Sequence, residues 1–373
     1  MIVVRRLVAL ALVATAGGGA LLLVRSGDGD TGVVREPRAG GPRRTAGTSP
    51  ATAPATAADE VTPSARPGGS APAVLYLDRA ILRRLGSDGT DEVVHRFPAA
   101  DVFAAPGSDL VAYVTPGVPV VHIYDVASGR DQRIGLGLSP RWDQGGQRLA
   151  FLRPTEAPCE GEGCRVRAEV MVVNAVSGDQ RVVLAKGPWG LLGWAGERVV
   201  AYDADNLRVV AVAPGGAPID LGIQPNGFWG ASPDGRWLVT LRRGRYRFER
   251  LDPAGAPTGA TVAIAFDRVL GEGAWSPDAA AVAAIALGKG SSEVVLFSPG
   301  APEPRAVDGS AGAAGNLVWS EDGTAFMFAQ VDPERRGRLR AVVCRLDAAR
   351  SCEPLFSWTE GVSLLKLYLT EGG

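Results

Sequence analysis

One pattern recurs along most of this chain and restricts its fold more than any other feature. An apolar stretch ends in a tight turn, and a second apolar stretch follows. Trp275-Ser276-Pro277-Asp278 precedes Val282-Ala283-Ala284-Ile285, and Trp319-Ser320-Glu321-Asp322-Gly323 precedes Phe326-Met327-Phe328. Ala231-Ser232-Pro233-Asp234-Gly235 leads into Trp237-Leu238-Val239, and Trp142-Asp143-Gln144-Gly145 into Leu149-Ala150-Phe151; weaker copies start at Ala104 and Trp194. Proline presets one turn angle, Asp supplies a side-chain acceptor, and Gly permits the reversal. A second set of turns alternates with the first. It is seen at residues 85–89, 125–129, 174–178, 213–216, 252–255 and 298–300, with a degenerate copy at 347–350. Two hairpin turns per unit give four short antiparallel strands per unit, which is a propeller blade. The equivalent positions 104, 142, 194, 231, 275 and 319 are 37 to 52 residues apart. That period belongs to radial or solenoid repeats. The density of turns and the scarcity of any 3.6-residue pattern exclude helical solenoids.

The ends of the repeat region predict how the ring closes. Residues 73–98 hold only three strands, and the innermost strand of that unit is missing at the front. Residues 362–370 form a lone strand at the back. Supplying it to the first unit closes the ring and removes its open edges. The reading is an all-β, seven-bladed propeller; six or eight blades follow if a weak copy is misread. The Trp-Ser-Pro-Asp-Gly turns and the Leu-Ala-Phe-type strands after them resemble the WD-like repeats of TolB-type propellers over about residues 100–360. That resemblance implies an extracytoplasmic protein that binds or scaffolds other proteins. The N-terminal α/β domain of that family has no counterpart, because a linker occupies its place. The family's partner set is therefore not carried over.

The first 72 residues are of a different kind. Arg5 and Arg6 precede an uncharged run at 7–24, closed by Arg25. At about 1.5 Å per residue such a helix just crosses a bilayer core. The leading positive charges orient it with the rest of the chain outside. The competing reading is a cleaved signal peptide, with Ala14-Thr15-Ala16 as its site; secretion would follow. Residues 26–72 are rich in Gly, Pro, Ala, Thr and Ser, with no aromatic residue and no apolar periodicity. They read as a disordered spacer between a membrane segment at 1–25 and a propeller at 73–373.

Four cysteines fall in two close pairs, Cys159 with Cys164 and Cys344 with Cys352. In an exported chain these fit two local disulfides. A four-cysteine metal site is the alternative, and the spacings are poor for zinc.

Chemistry is sparse. The only histidines, His95 and His122, lie in apolar strand stretches and cannot make a three-histidine metal site. No nucleophile elbow or phosphate loop is present. Asp203-Ala204-Asp205-Asn206 offers oxygen ligands but lacks the rest of a calcium loop and reads as a turn. No catalytic, cofactor or metal site is assigned. Formal net charge is -1, which gives no pull toward nucleic acid.

One charge pattern points to function. In a propeller both turn sets face one side, and the connections between second and third strands face the other. Those connections carry Arg79, Arg153, Arg165, Arg167, Arg242, Arg243, Arg245, Lys289, Arg335, Arg336 and Arg338, while the turns carry Asp88, Asp125, Asp179, Asp234, Asp252, Asp278 and Asp322. A basic face outside a membrane suits an anionic polymer, a lipid head group or an acidic envelope protein. The plainer reading is that loops collect charge in an arginine-rich protein. The expectation is a monomeric, membrane-tethered binding or scaffold module without enzymatic activity. The alternatives are a lactonase- or glycosidase-like propeller hydrolase, and the sensor partner of a membrane signalling complex.

Overall fold

The computed structural model describes residues 62–63, 73–98, 101–156, 167–266, 268–288, 291–335, 338–346, 352–358 and 362–368. The apolar run at 7–24, Cys159, Cys164, Arg165, Lys289 and Arg336 lie outside the described residues. Among the described residues, no helix is long and apolar enough to cross a membrane.

Seven antiparallel sheets follow one another. Blade one is Val362–Tyr368, Ala73–Asp78, Ile81–Leu85 and Asp91–Arg96 from the inside out. Blade two runs Asp101–Ala104, Leu110–Val114, Val120–Asp125 and Asp131–Leu136; blade three runs Leu138–Trp142, Arg148–Pro154, Ala168–Asn174 and Gln180–Gly187. Blade four is Trp189–Ala195, Arg198–Asp203, Arg208–Val212 and Ile219–Asp220, and blade five is Phe228–Ala231, Trp237–Arg242, Arg245–Leu251 and Pro257–Ala263. Blade six is Val269–Trp275, Val282–Leu287, Ser292–Ser298 and Ala301–Ala306, and blade seven is Ala313–Trp319, Ala325–Val331, Leu339–Arg345 and Cys352–Trp358. Seven blades and closure by the C-terminal strand are both as the repeat predicts.

The second strand of each blade is almost wholly apolar, because both its faces pack against neighbouring blades. Ala325–Val331 is buried at every position but the last, and Val282–Leu287 likewise. Outer strands carry the polar residues: Ala301–Ala306 has Pro302 and Pro304, which deny a further strand its hydrogen bonds. Blade seven's outer edge is treated differently. Thr62–Pro63, within the segment read as spacer, pairs antiparallel with Cys352–Trp358, setting Thr62 opposite Ser357 and Pro63 opposite Phe356. Cys344 and Cys352 face each other across the same blade and form a disulfide. For this pair the metal alternative is overturned.

The repeated signature has a repeated job. Trp142, Trp194 and Trp319 each donate the indole N–H to a carbonyl on the innermost strand of the preceding blade: Phe103 (2.9 Å), Arg141 (2.9 Å) and Ala274 (3.0 Å). The serine and aspartate fold the turn onto itself. The Ser276 hydroxyl donates to Asp278 at 2.5 Å and accepts from the Ala281 N–H, while Asp278 accepts from the Ala280 N–H. Ser232–Asp234 and Ser320–Asp322 repeat this geometry. The fourth turn position takes a left-handed backbone, with φ of 69° at Gly235 and 71° at Gly323, but in blade six it is Ala279, at 60°. A non-glycine residue there costs about 1–2 kcal/mol. Ala279→Gly is therefore expected to raise stability by about 1 kcal/mol, the gain reduced by the extra freedom glycine has when unfolded. Urea denaturation measures this, and an unchanged or lower midpoint would contradict the strain argument.

The closing strand is fastened to blades on both sides. Lys366, 5% exposed, donates to the Ser108 carbonyl of blade two at 2.7 Å and pairs with Glu321 of blade seven at 2.6 Å. Tyr368 donates its hydroxyl to Asp109 at 2.8 Å. Ser320 and Leu367 form an isolated bridge across the junction.

Candidate functional site

The antiparallel order of each blade fixes what lies on each face. Turns between first and second strands, and between third and fourth, share one side. Connections between second and third strands share the other, called here the loop face.

On the turn face the carboxylates are committed to the fold. Asp125 accepts from the Ala127 N–H and the Ser128 hydroxyl, Asp252 from the Ala256 N–H, and Asp88 from Thr90. Hydrogen bonds from Ser276 and the Ala280 N–H hold the Asp278 carboxyl below the usual carboxylate range. The Ser128 hydroxyl does the same for Asp125. These acids are turn chemistry rather than a free acidic surface.

The loop face divides the predicted arginines into two groups. Arg153 pairs with Glu169 through Nε at 2.8 Å. Arg242 pairs through Nε with buried Glu249 at 2.6 Å and donates from Nη2 to the Gly222 carbonyl at 3.0 Å. Glu249 also accepts the Thr240 hydroxyl. Arg338 donates to the Ser357 carbonyl at 3.3 Å. These three are structural. Arg79, Arg243, Arg245 and Arg335 are exposed, and no side-chain partner engages them among the described residues. Arg167 is also exposed, its carbonyl accepting from Thr155. Nearby Glu156 is neutralised by Lys186 at 2.5 Å.

Several tips on this face hold residues that are poor choices for their backbone. Arg243-Gly244 joins two strands that pair Arg242 with Arg245, and both turn residues have positive φ, 52° and 74°. That is a type I′ turn, where Asn-Gly or Gly-Gly is favoured. Arg79 sits at φ 57° and Leu207 at φ 50°. Asn206, one position before Leu207, instead serves Asp203, donating from Nδ2 at 2.6 Å. Asp203 accepts from the Asp205 and Asn206 N–H groups as well, so the suspected oxygen-ligand run is a turn.

On the innermost strands the polar groups also bind the ring together. The Glu272 carboxylate of blade six accepts the Asn316 and Leu317 N–H groups of blade seven at 2.9 and 3.0 Å, at a bulge where Asn316 has φ 56°. The Arg141 guanidinium lies 5.2 Å from the centre of the Phe103 ring. Among the described residues, no three His, Cys, Asp or Glu side chains are grouped for a metal ion.

Both histidines sit in one aromatic stack between blades one and two. His95 stacks on Tyr124 at 4.1 Å and meets Phe97 edge-on at 4.7 Å. His122 stacks on Tyr113, and both reach Asp131, His122 by Nδ1 at 3.1 Å and Tyr113 by its hydroxyl at 2.5 Å. Burial lowers the His95 pKa, with the Asp131 charge opposing it. The unfolded chain therefore takes up a proton that the folded one resists. This penalty is absent above the ordinary value of about 6.5 and grows as pH falls below it. His95→Phe is expected to flatten the loss of melting temperature between about pH 7.5 and 5 relative to the parent. Parallel curves for the two proteins would remove His95 from that loss.

No family model matches the chain, and no curated protein matches it. Solved structures of similar fold include TolB from Acinetobacter baumannii, 15% identical with a TM-score of 0.47, the match covering 80% of this chain and 66% of that one. The chain thus spans just under two thirds of TolB. The dihydro-heme d1 dehydrogenase NirN is 15% identical with a TM-score of 0.48, over 82% of this chain and 77% of that one. An oligogalacturonate lyase in complex with manganese is 13% identical with a TM-score of 0.38, over 73% and 69%. At these identities a shared propeller carries no chemistry from one protein to another.

Proposed function

We propose that this chain is an extracytoplasmic β-propeller acting as a binding or scaffold module of the cell envelope, tethered to the membrane through residues 7–24. The observation that carries the reading is the inequality of the two faces. The turn aspartates Asp125, Asp252 and Asp278 are consumed by their own turns, whereas Arg79, Arg243, Arg245 and Arg335 stand exposed on the loop face with no side-chain partner among the described residues. Arginines spread over the loop tips of several blades suit an extended anionic partner better than a small molecule enclosed in a cleft. The disulfide in blade seven supports an oxidising compartment.

Topology mapping of the full chain tests this. The chain is expected in the membrane fraction, with its propeller cut by protease added outside the cell. Recovery from the medium would favour the secreted form, and protection from external protease would overturn the reading. A panel of lactone, polyuronate and glycan substrates tests the hydrolase alternative: turnover that survives repurification would replace the scaffold reading with an enzyme.

A further inference from the structure

We infer that the loop face docks flat on the surface of an anionic bilayer, held there by exposed arginines and by apolar tips that enter the interface. This rests on the membrane tether proposed above and names the partner of the same face.

Three independent features of the molecule converge on that face. The first is where apolar surface is exposed. Nine large apolar side chains are exposed among the described residues. Six of them, Val118, Leu136, Leu207, Val269, Leu287 and Val331, lie at the loop-face ends of their strands or in the connections. Of the other three, Val176 is on the turn face, and Val93 and Val182 lie within outer strands. Three of the six follow one another across the loop-face ends of blades six and seven. Val269 pairs directly with Leu287, Leu287 pairs with Ser292, and the Ser292 carbonyl accepts from Gly312, whose own carbonyl accepts from Val331. Scattered exposed valines need no explanation, but a concentration on one side of a ring marks an interaction surface.

The second feature is backbone cost. Arg79, Leu207 and Arg243 hold left-handed conformations at tips of this face, at φ 57°, 50° and 52°, whereas the turn face has Ala279 in that conformation. Gly or Asn would sit there with less strain. Strained non-glycine residues persist where their side chains are needed, and here the side chains are two cations and an exposed leucine.

The third feature is the path of the chain. Blade seven's outer strand ends at Trp358 on the loop face, and Thr62–Pro63 runs antiparallel to it, with Thr62 nearer that end. Read from Pro63 back to Thr62, this strand therefore points to the loop face, toward the end of the blade where Val331 and Trp358 lie. The uncharged run at 7–24 lies further along that same segment. A tether leaving from this face turns it toward the membrane. Exposed cations interleaved with aliphatic tips match an anionic interface, where head groups meet arginine and the acyl boundary meets Val and Leu. An acidic protein would satisfy the arginines but leave the tether's exit side unexplained.

Amide hydrogen exchange on the full chain tests the inference, using nanodiscs of phosphatidylcholine with and without phosphatidylglycerol. Amides at 243–245, 287–288, 331–332 and 334–335 are expected to slow in the anionic discs only, and those at 278–280 and 321–323 to stay unchanged. High salt should reverse the slowing. Arg243→Gln, Arg245→Gln and Arg335→Gln remove no partner in the fold. Each is expected to cut the docked population about five-fold, the equivalent of about 1 kcal/mol per arginine near an anionic surface. Leu287→Ser with Val331→Ser should weaken docking in the same discs. Equal slowing on both faces, or none on the loop face while the chain floats with the discs, overturns docking and leaves the tether standing. A chain that floats with neither disc overturns both. Loop-face protection by soluble polyglutamate, with none from anionic discs, would assign the face to an acidic polymer and overturn the membrane assignment.

Discussion

Removing the strand Val362–Tyr368, or replacing Leu367 with Asp, is expected to leave the chain without a cooperative unfolding transition. Val362, Leu364 and Leu367 belong to the same buried cluster as Val74, Tyr76, Met327 and Phe356, so this one strand joins the cores of blades one and seven. Burying three such side chains contributes about 5–9 kcal/mol. The whole stability of a domain is about 5–15 kcal/mol. Losing the strand also strips the ladder from Ala73–Asp78 and the Lys366 and Tyr368 bonds to neighbouring blades. Urea titration followed by tryptophan fluorescence would show a broad, non-sigmoidal change. A sharp transition with the parent's slope would mean that six blades and a fragment are self-sufficient.

The second large effect is expected from Gly146→Ala. Gly146 has φ 62°, and a Cβ built on it would lie 2.0 Å from the Pro106 carbonyl oxygen and 2.8 Å from the Ser108 hydroxyl. The first obstacle is backbone and cannot swing aside. Left-handed strain of about 1–2 kcal/mol adds to overpacking of about 1–3 kcal/mol, for a loss of about 2–5 kcal/mol in all. The same change at Gly145, where nothing lies within 4 Å, should cost far less. A pair of urea midpoints decides it, and equal losses would show that the contact between the turns of blades two and three is soft. The turns of blades four and five also meet, less tightly, a Cβ at Gly235 coming within 3.1 Å of the Gly196 Cα. Glycine at the fourth turn position thus serves a reversal and an inter-blade contact at once.

Much of this was written plainly in the sequence, because the features that mark a blade are local. A Ser-Pro-Asp-Gly turn and the apolar run after it can be read within ten residues, and six of the seven units carry a strong or weak copy. The ring closure followed from a strand missing at 73 and a spare one at 362. The charge pattern was less legible. Arg242 and Glu249 are partners only because a two-residue turn at Arg243-Gly244 sets the register between their strands. Nothing in the run Leu241-Arg242-Arg243-Gly244-Arg245 announces which arginine folds back and which stays free. Lys366 was hidden more deeply. It reads as a solvent-facing residue in an apolar strand, yet it is buried by loops from blades two and seven. Its partners Ser108 and Glu321 come together only once the ring exists. The pairing of Thr62–Pro63 was illegible for another reason. It follows from an open strand edge on blade seven rather than from any signal in two residues of a low-complexity segment.

The closing strand also sets an order of events in time. Ala73–Asp78 is made first and Val362–Tyr368 last, yet each is the other's ladder partner, with Ala73 opposite Tyr368. While blades two to seven condense in turn behind the advancing chain, the inner edge of Ala73–Asp78 has no native neighbour. It stays open until the far end of the repeat has been synthesised. The nascent protein is thus an incomplete annulus carrying an unpaired apolar edge for nearly the whole of its production. A chaperone that shields one site on this chain would find its target there, and synthesis that halts at blade seven would release a sticky arc rather than a smaller ring.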